Sequence, residues 1–244
     1  MIGYLRFLSG NERSSESNRH LGLTLAFIAG AVNAGGYLAV SQYTSHMTGI
    51  LSSLSDNVAL GRMNPVVSGL AAWASFLIGA ATSAVLINWA RRRKLHSQYA
   101  MSLMVEAVLM LVFGLLGSNL KMSVGFFVPT TVLLLCYMMG LQNAIITKVS
   151  NSEIRTTHMT GNTTDLGIEI GKLLYWNRDA AIPEKVVANR GKMRLLAGLI
   201  GLFVLGGLIG ALGFKRIGFS VTIPLAVLLF TIAIVPVWDD LSSG

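Results

Sequence analysis

Charge is what this sequence has least of. Only 12% of its 244 residues are Asp, Glu, Lys or Arg, against about 25% in an ordinary soluble domain. A soluble fold of this size cannot cover its surface with so few charges. The 53% hydrophobic content and mean hydropathy of +0.62 instead imply a surface that faces lipid. Cysteine is almost missing: Cys136 stands alone in an apolar segment, which excludes an internal disulfide, a CxxC thiol pair and a cysteine zinc site. HExxH, GxSxG and dinucleotide glycine patterns do not occur. The run Gly167 to Leu173 only superficially resembles a phosphate loop, since the final Ser or Thr is lacking. His and Asp show no tight ligand spacing. No catalytic group, metal or cofactor is expected.

What the chain does have is long apolar runs. Five stretches contain no charged residue: 21–44, 66–90, 122–147, 195–214 and 217–238. A sixth, 99–120, contains one, Glu106. Each reaches the roughly 20 residues that a bilayer crossing needs. In lipid every backbone polar group must be satisfied internally, and no alternating barrel pattern is present, so the expectation is all-α with about six transmembrane helices. The first stretch is too long for a signal-peptide core and is read as a span, preceded by a polar tail over 1–19.

The formal charge of +8 does not point to nucleic acid, because the basic residues sit between spans and form no aromatic-interleaved surface. Six spans would put 15 Lys and Arg on one side and four on the other (Arg62, Lys121, Lys215 and Arg216). The positive-inside bias then predicts an inner (plasma) membrane protein with both termini in the cytoplasm.

The chain also repeats itself. Thr44-Ser45-His46-Met47-Thr48-Gly49 returns as Thr156-Thr157-His158-Met159-Thr160-Gly161. Gly-x-x-Asn-Ala precedes each copy, at 30–34 and 140–144, and an apolar-Gly-basic triplet follows each, at 60–62 and 170–172. Phe76-Leu-Ile-Gly79 is answered by Phe203-Val-Leu-Gly206, the longer offset reflecting an extra polar loop around 175–190. Two membrane units follow, 20–120 and 121–240, each with three spans and a short broken or re-entrant helix after the first. Three is odd, so the second unit is expected upside down relative to the first, the inverted-topology repeat of many secondary transporters. The small-residue spacings Gly79-x-x-x-Ser83 and Gly206-x-x-x-Gly210 predict close helix packing.

Candidate site residues come from the repeat. Thr, Asn and Asp suit helix N-caps and glycine permits unusual backbone angles. Short helices dipping inward would bring unpaired N–H groups and positive partial charge to a solute. The proposed solute-binding set is His46, Thr48, Gly49, His158, Thr160, Gly161 and Asn162, with Asn33, Gln142 and Asn143 from inside the apolar helices. Those last three equally suit interhelical hydrogen bonding. Asp56, Asp165 and Glu106 are candidate proton or gating groups, Asp56 and Asp165 also reading as caps or salt-bridge partners and Glu106 equally as the partner of a basic side chain near the cytoplasmic end. Arg155 reads as an anion attractor or as an interfacial anchor.

On these motifs the chain resembles the YoaK-type family of six-helix bacterial inner-membrane proteins, from about His20 to Trp238. The most specific stretches are 45–49, 140–144 and 155–161 running into Thr164-Asp165-Leu166-Gly167. Members usually continue the first motif with Asn and carry Asp where this chain has Asn33; here Ile50 and Asn33 stand instead. The resemblance implies a permease role without naming a substrate. The function expected is a small secondary transporter or channel for a small polar or anionic solute, with both motifs lining one site near the midplane and a homodimer as the assembly. The alternatives are a membrane-embedded enzyme pairing His46 or His158 with Asp56 or Asp165, and a structural or partner-binding membrane protein with no solute path.

Overall fold

A computed structural model describes residues 2–11, 13–119, 124–177 and 184–242. It is all-helical among those residues. The helices are α1 (Ile2–Ser9), α2 (Ser15–Val40), α3 (Met47–Ala59), α4 (Met63–Arg92), α5 (Ala100–Ser118), α6 (Val124–Val149), α7 (Met159–Leu174), α8 (Arg190–Ile217) and α9 (Thr222–Ser242), with one 3-10 turn at Gly218–Val221. Five stretches are long and apolar enough to cross a membrane, and the last of them, Arg190–Ser242, contains both α8 and α9. The expected boundary between the two units, 120/121, lies outside the described residues, as does part of the extra polar loop.

Side-chain contacts give the directions of the six long helices. Gln142 Nε2 donates to Leu25 O at 2.9 Å. A Cβ on Gly22 would meet Ile146 and Ile154, and one on Gly36 would meet Leu135. The chain therefore descends α6 as it climbs α2. α8 runs beside α2 in the same sense, with Leu23 against Gly198 and Phe214 against Gly35. α4 runs with α6: Ser75 Oγ donates to Leu133 O (2.7 Å) and Lys148 Nζ to Asn88 Oδ1 (3.0 Å). α9 returns along α5, from Thr222 beside Gly114 to Asp240, whose carboxylate accepts the Ser97 N–H at 2.8 Å. α2, α5 and α8 thus point one way, and α4, α6 and α9 the other. One end of the bundle carries Arg13, Arg19, the Arg91–Lys94 run and Arg190–Arg194; Arg62, Lys215 and Arg216 lie at the opposite end.

Two close crossings hold the bundle together, and they are built alike. Gly30 of α2 lies against the Phe203 carbonyl of α8, and Gly206 of α8 against the Phe27 carbonyl; a Cβ at either glycine would collide with that backbone. Gly140 of α6 meets the Phe76 carbonyl of α4 in the same way, and Gly79 meets the Tyr137 carbonyl. Backbones this close need glycine on both sides, and the gain is van der Waals contact where lipid supplies no hydrophobic drive between helices. Around the crossings sits an apolar core that includes Leu25, Ile28, Val32, Met138, Met139 and Leu141, each 0% exposed.

Two helices form among the described residues of the polar N-terminal stretch. α1 is an eight-residue helix that buries Leu8 in the core. Ser9 Oγ donates to Ile232 O, and Arg6 binds Asp239 through Nε and Nη2 at 2.6 Å each. α2 begins at Ser15, because Ser14 and Ser17 form a reciprocal capping box. A helix of two turns is too short to read from periodicity, so the sequence hides it.

Candidate functional site

Both repeated turns have the same internal geometry. In the first, Ser45 Oγ donates to Asn33 Oδ1 at 3.0 Å; in the second, Thr157 Oγ1 donates to Asn143 Oδ1 at 2.7 Å. His46 and His158 each occupy the N-cap position, with φ/ψ of −93/70 and −84/63. Each ring folds over the first turn of the helix that follows, so a Cβ on Gly49 or Gly161 would strike it. Neither histidine makes a side-chain cap bond; in α7 the Met159 N–H donates to Thr157 O at 2.9 Å, and the Thr160 and Gly161 N–H groups, like those of Thr48 and Gly49 in α3, stay open. Burial follows the same rhythm: Thr44 and Thr156 are buried, Ser45 and Thr157 partly buried, His46 and His158 exposed, Ile50 and Asn162 buried.

The two turns sit at different levels along α2. The first packs at the Gly36 level of α2, with Thr44 Oγ1 3.7 Å from where a Gly36 Cβ would lie, and the second at the Gly22 level through Ile154. The bonded amides lie closer together, since Asn33 is on α2 itself and Asn143 follows Gln142, which bonds Leu25; roughly 8 to 14 residues of α2 thus separate the turns, or roughly 12 to 21 Å at 1.5 Å per residue. The core side chains Ile28, Val32, Met138 and Met139 lie between them. No hydrogen bond or ion pair among the described residues joins one turn to the other. α2 and α6 each run 26 residues before their turn, which sets the turns toward opposite ends of the pair. α3 starts well below the ends of its neighbours, since Met47 and Ile50 pack with Ala72 and Phe76 in the middle of α4 and with Cys136 of α6.

The surroundings of the two turns differ. Beside the first lies an open cavity of about 720 Å³ lined by His46, Gly49, Ile50, Ser53, Ser68 and Pro129 among others. No formal charge lines it. The second turn is bridged by polar contacts. Asn162 Nδ2 donates to Arg155 O (2.9 Å), Arg155 Nη1 lies 3.4 Å from His158 Nδ1, and Lys192 Nζ pairs with Asp165 at 3.1 Å. Further along α7, Glu169 accepts from Lys172 (2.8 Å) and from the Asn189 N–H (2.7 Å). The Lys172 hydrogen bond and the Asn189 N–H hold its carboxyl below the ordinary carboxylate range.

The remaining candidates are dispersed. Gln142 ties α6 to α2 through its amide nitrogen, while its Oε1 has no partner. Asp56 is exposed on α3. Asp165 pairs with Lys192 and not with His158. Glu106 is fully buried in α5, and both its oxygens lack hydrogen-bond partners. No cluster of three His, Cys, Asp or Glu suited to a metal occurs among the described residues. The sequence reading missed Thr44 and Thr156, two buried hydroxyls without partners. Their presence in both copies of the motif was the available signal. Nothing in the sequence pointed to Lys192 or Asn189 as partners of α7.

Comparison with known proteins fits this architecture. The chain is 27% identical over 191 residues to the UPF0700 transmembrane protein YoaK of Bacillus subtilis (strain 168), covering 77% of this chain and 80% of that one. No solved structure matches it. Residues 21–235 match the model for a protein family of unknown function, DUF1275. This multi-helix transmembrane chain belongs to the DUF1275 family.

Proposed function

We propose that the chain is a small secondary transporter or channel for a small polar or anionic solute, with two turn sites in series, one toward each face of the membrane. The observation that carries this is the doubled turn: the same Asn–hydroxyl bond, the same histidine over glycine and the same uncapped helix start occur at the two ends of one antiparallel helix pair. In this reading α2 to α5 and α6 to α9 are inverted-topology repeats making six crossings of a bacterial inner membrane, and the Arg- and Lys-rich end faces the cytoplasm. An inverted pair has two mirror-related conformations, and exchanging them opens first one turn and then the other. The cavity beside His46 and the bridged turn at His158 are what one such state would show. The apolar layer around Met138 and Met139 is then the barrier that keeps both ends from opening at once.

The test is a thermal-shift screen of the purified protein against small polar and anionic solutes, followed by flux of each hit in liposomes. His46→Ala and His158→Ala are expected to lower flux while leaving helicity and insertion intact. If no solute moves faster than in protein-free liposomes, the transport reading fails.

A further inference from the structure

We infer that the second turn is a binding site for an oxyanion of the phosphate, sulfate or carboxylate class, held by Arg155, His158 and the N-terminus of α7. Four observations converge there. Arg155 is exposed, and among the described residues no carboxylate lies within ion-pair distance of it. Its guanidinium stands 3.4 Å from His158 Nδ1, a contact that leaves most of its five N–H donors unused. His158 gives the 16-residue α7 no side-chain cap. The Met159 N–H turns back to Thr157 O at 2.9 Å, which leaves the Thr160 and Gly161 N–H groups at the positive end of the helix dipole. Thr156, 0% exposed, keeps a hydroxyl without a partner two residues before the cap. Two backbone donors, a guanidinium and a hydroxyl thus gather around one helix start, which is the arrangement an oxyanion completes.

The first turn serves as the control built into the chain. It has the same backbone, the same uncapped helix and the same orphan hydroxyl at Thr44. Where Arg155 stands, however, it has Tyr43, stacked on Tyr37 at 4.7 Å, and Ile50 replaces the polar Asn162. The anion preference belongs to the second turn alone. The inference deepens the transport reading by fixing the chemistry of one of its sites, but it is tested separately from transport.

The experiment places cysteine at Thr160 or at Thr48, both exposed in the first turn of their helices, in full-length protein in neutral phosphatidylcholine liposomes. Cys136 is fully buried and contributes little background. Labelling rates are compared for a negatively and a positively charged methanethiosulfonate of the same size. T160C is expected to favour the anionic reagent roughly five-fold or more, and T48C to show no preference. Adding Arg155→Gln removes the preference at 160, and sulfate slows labelling there. If phosphatidylglycerol in the liposomes protects T160C without added sulfate, the anion is a lipid headgroup; if only sulfate protects, it is soluble. Equal preferences at 48 and 160, or a preference that survives R155Q, would overturn the site. Labelling of both positions from the same face would defeat the transport reading and leave the charge comparison to decide this one.

Discussion

The first and second turns are one backbone with two chemistries. At Thr44 to Ile50 the lining is uncharged and opens on a cavity beside Pro129. At Thr156 to Asn162 the same conformation is surrounded by Arg155, Lys192 and Asp165 and is bridged by side-chain bonds. What both keep is the scaffold: an amide from the preceding long helix, a hydroxyl bonded to it, a histidine over a glycine. What differs is charge. The scaffold follows from how a long helix must turn into a short one, whereas the charge depends on which end of the bundle the turn occupies. The comparison therefore separates the residues that build the turn from those that choose its ligand.

The largest effect that could break this pairing lies at the crossings. Gly30→Val and its counterpart Gly140→Val drive side-chain atoms into a carbonyl of the partner helix, and each is expected to cost about 3 kcal/mol or more, or to prevent assembly. Gly201→Val, on a face of α8 where a Cβ meets nothing within 4 Å, is the matched control and should be nearly silent. Thermal melting of the purified proteins reads all three. A large loss at only one crossing would mean that the halves are not equivalent.

Smaller and more diagnostic are the amides. Asn33→Ala and Asn143→Ala each leave a hydroxyl, Ser45 or Thr157, without its acceptor. Each should lower stability by about 1 kcal/mol, and by similar amounts. Clearly unequal losses would show that one turn depends on its amide and the other does not.

The two halves differ most plainly at α1, which has no counterpart in the second unit and packs against α9 and α2. Its lock is geometric: Arg6 binds Asp239 through Nε and Nη2 at 2.6 Å each, and the Asp240 carboxylate accepts the His96 and Ser97 N–H groups at 2.8 Å each. Spin labels at positions 3 and 238 should therefore move apart when Arg6→Gln removes the ion pair. An unchanged separation would contradict the lock. The smallest effect belongs to Lys192→Ala: its pair with Asp165 is nearly half exposed on both sides, and its loss should cost under about 1 kcal/mol.

Much of this fold can be read from apolar run length and repetition. Runs of 20 or more residues fixed the long helices, and the echo of Gly30 and Phe76 in Gly140 and Phe203 marked the residues that make the two crossings. The spacing Gly79-x-x-x-Ser83 announced a close approach that the Tyr137 carbonyl completes. The sequence does not carry depth. It gives no sign of the level at which each turn packs, with the first at Gly36 and the second at Gly22 of α2. The contacts of the short helices were equally hidden. α1 is two turns long, and Lys192, which pairs with Asp165, and Asn189, which joins Lys172 on Glu169, stand some twenty to thirty positions further along the chain.

One measurement bears most directly on the doubled turn. Cysteine at Thr48 and cysteine at Thr160 are each exposed to an uncharged, membrane-impermeant maleimide in right-side-out and inside-out vesicles. Opposite sidedness, with Thr48 reached from the periplasmic face and Thr160 from the cytoplasmic face, is the predicted result. Reaction of both from one face would contradict it.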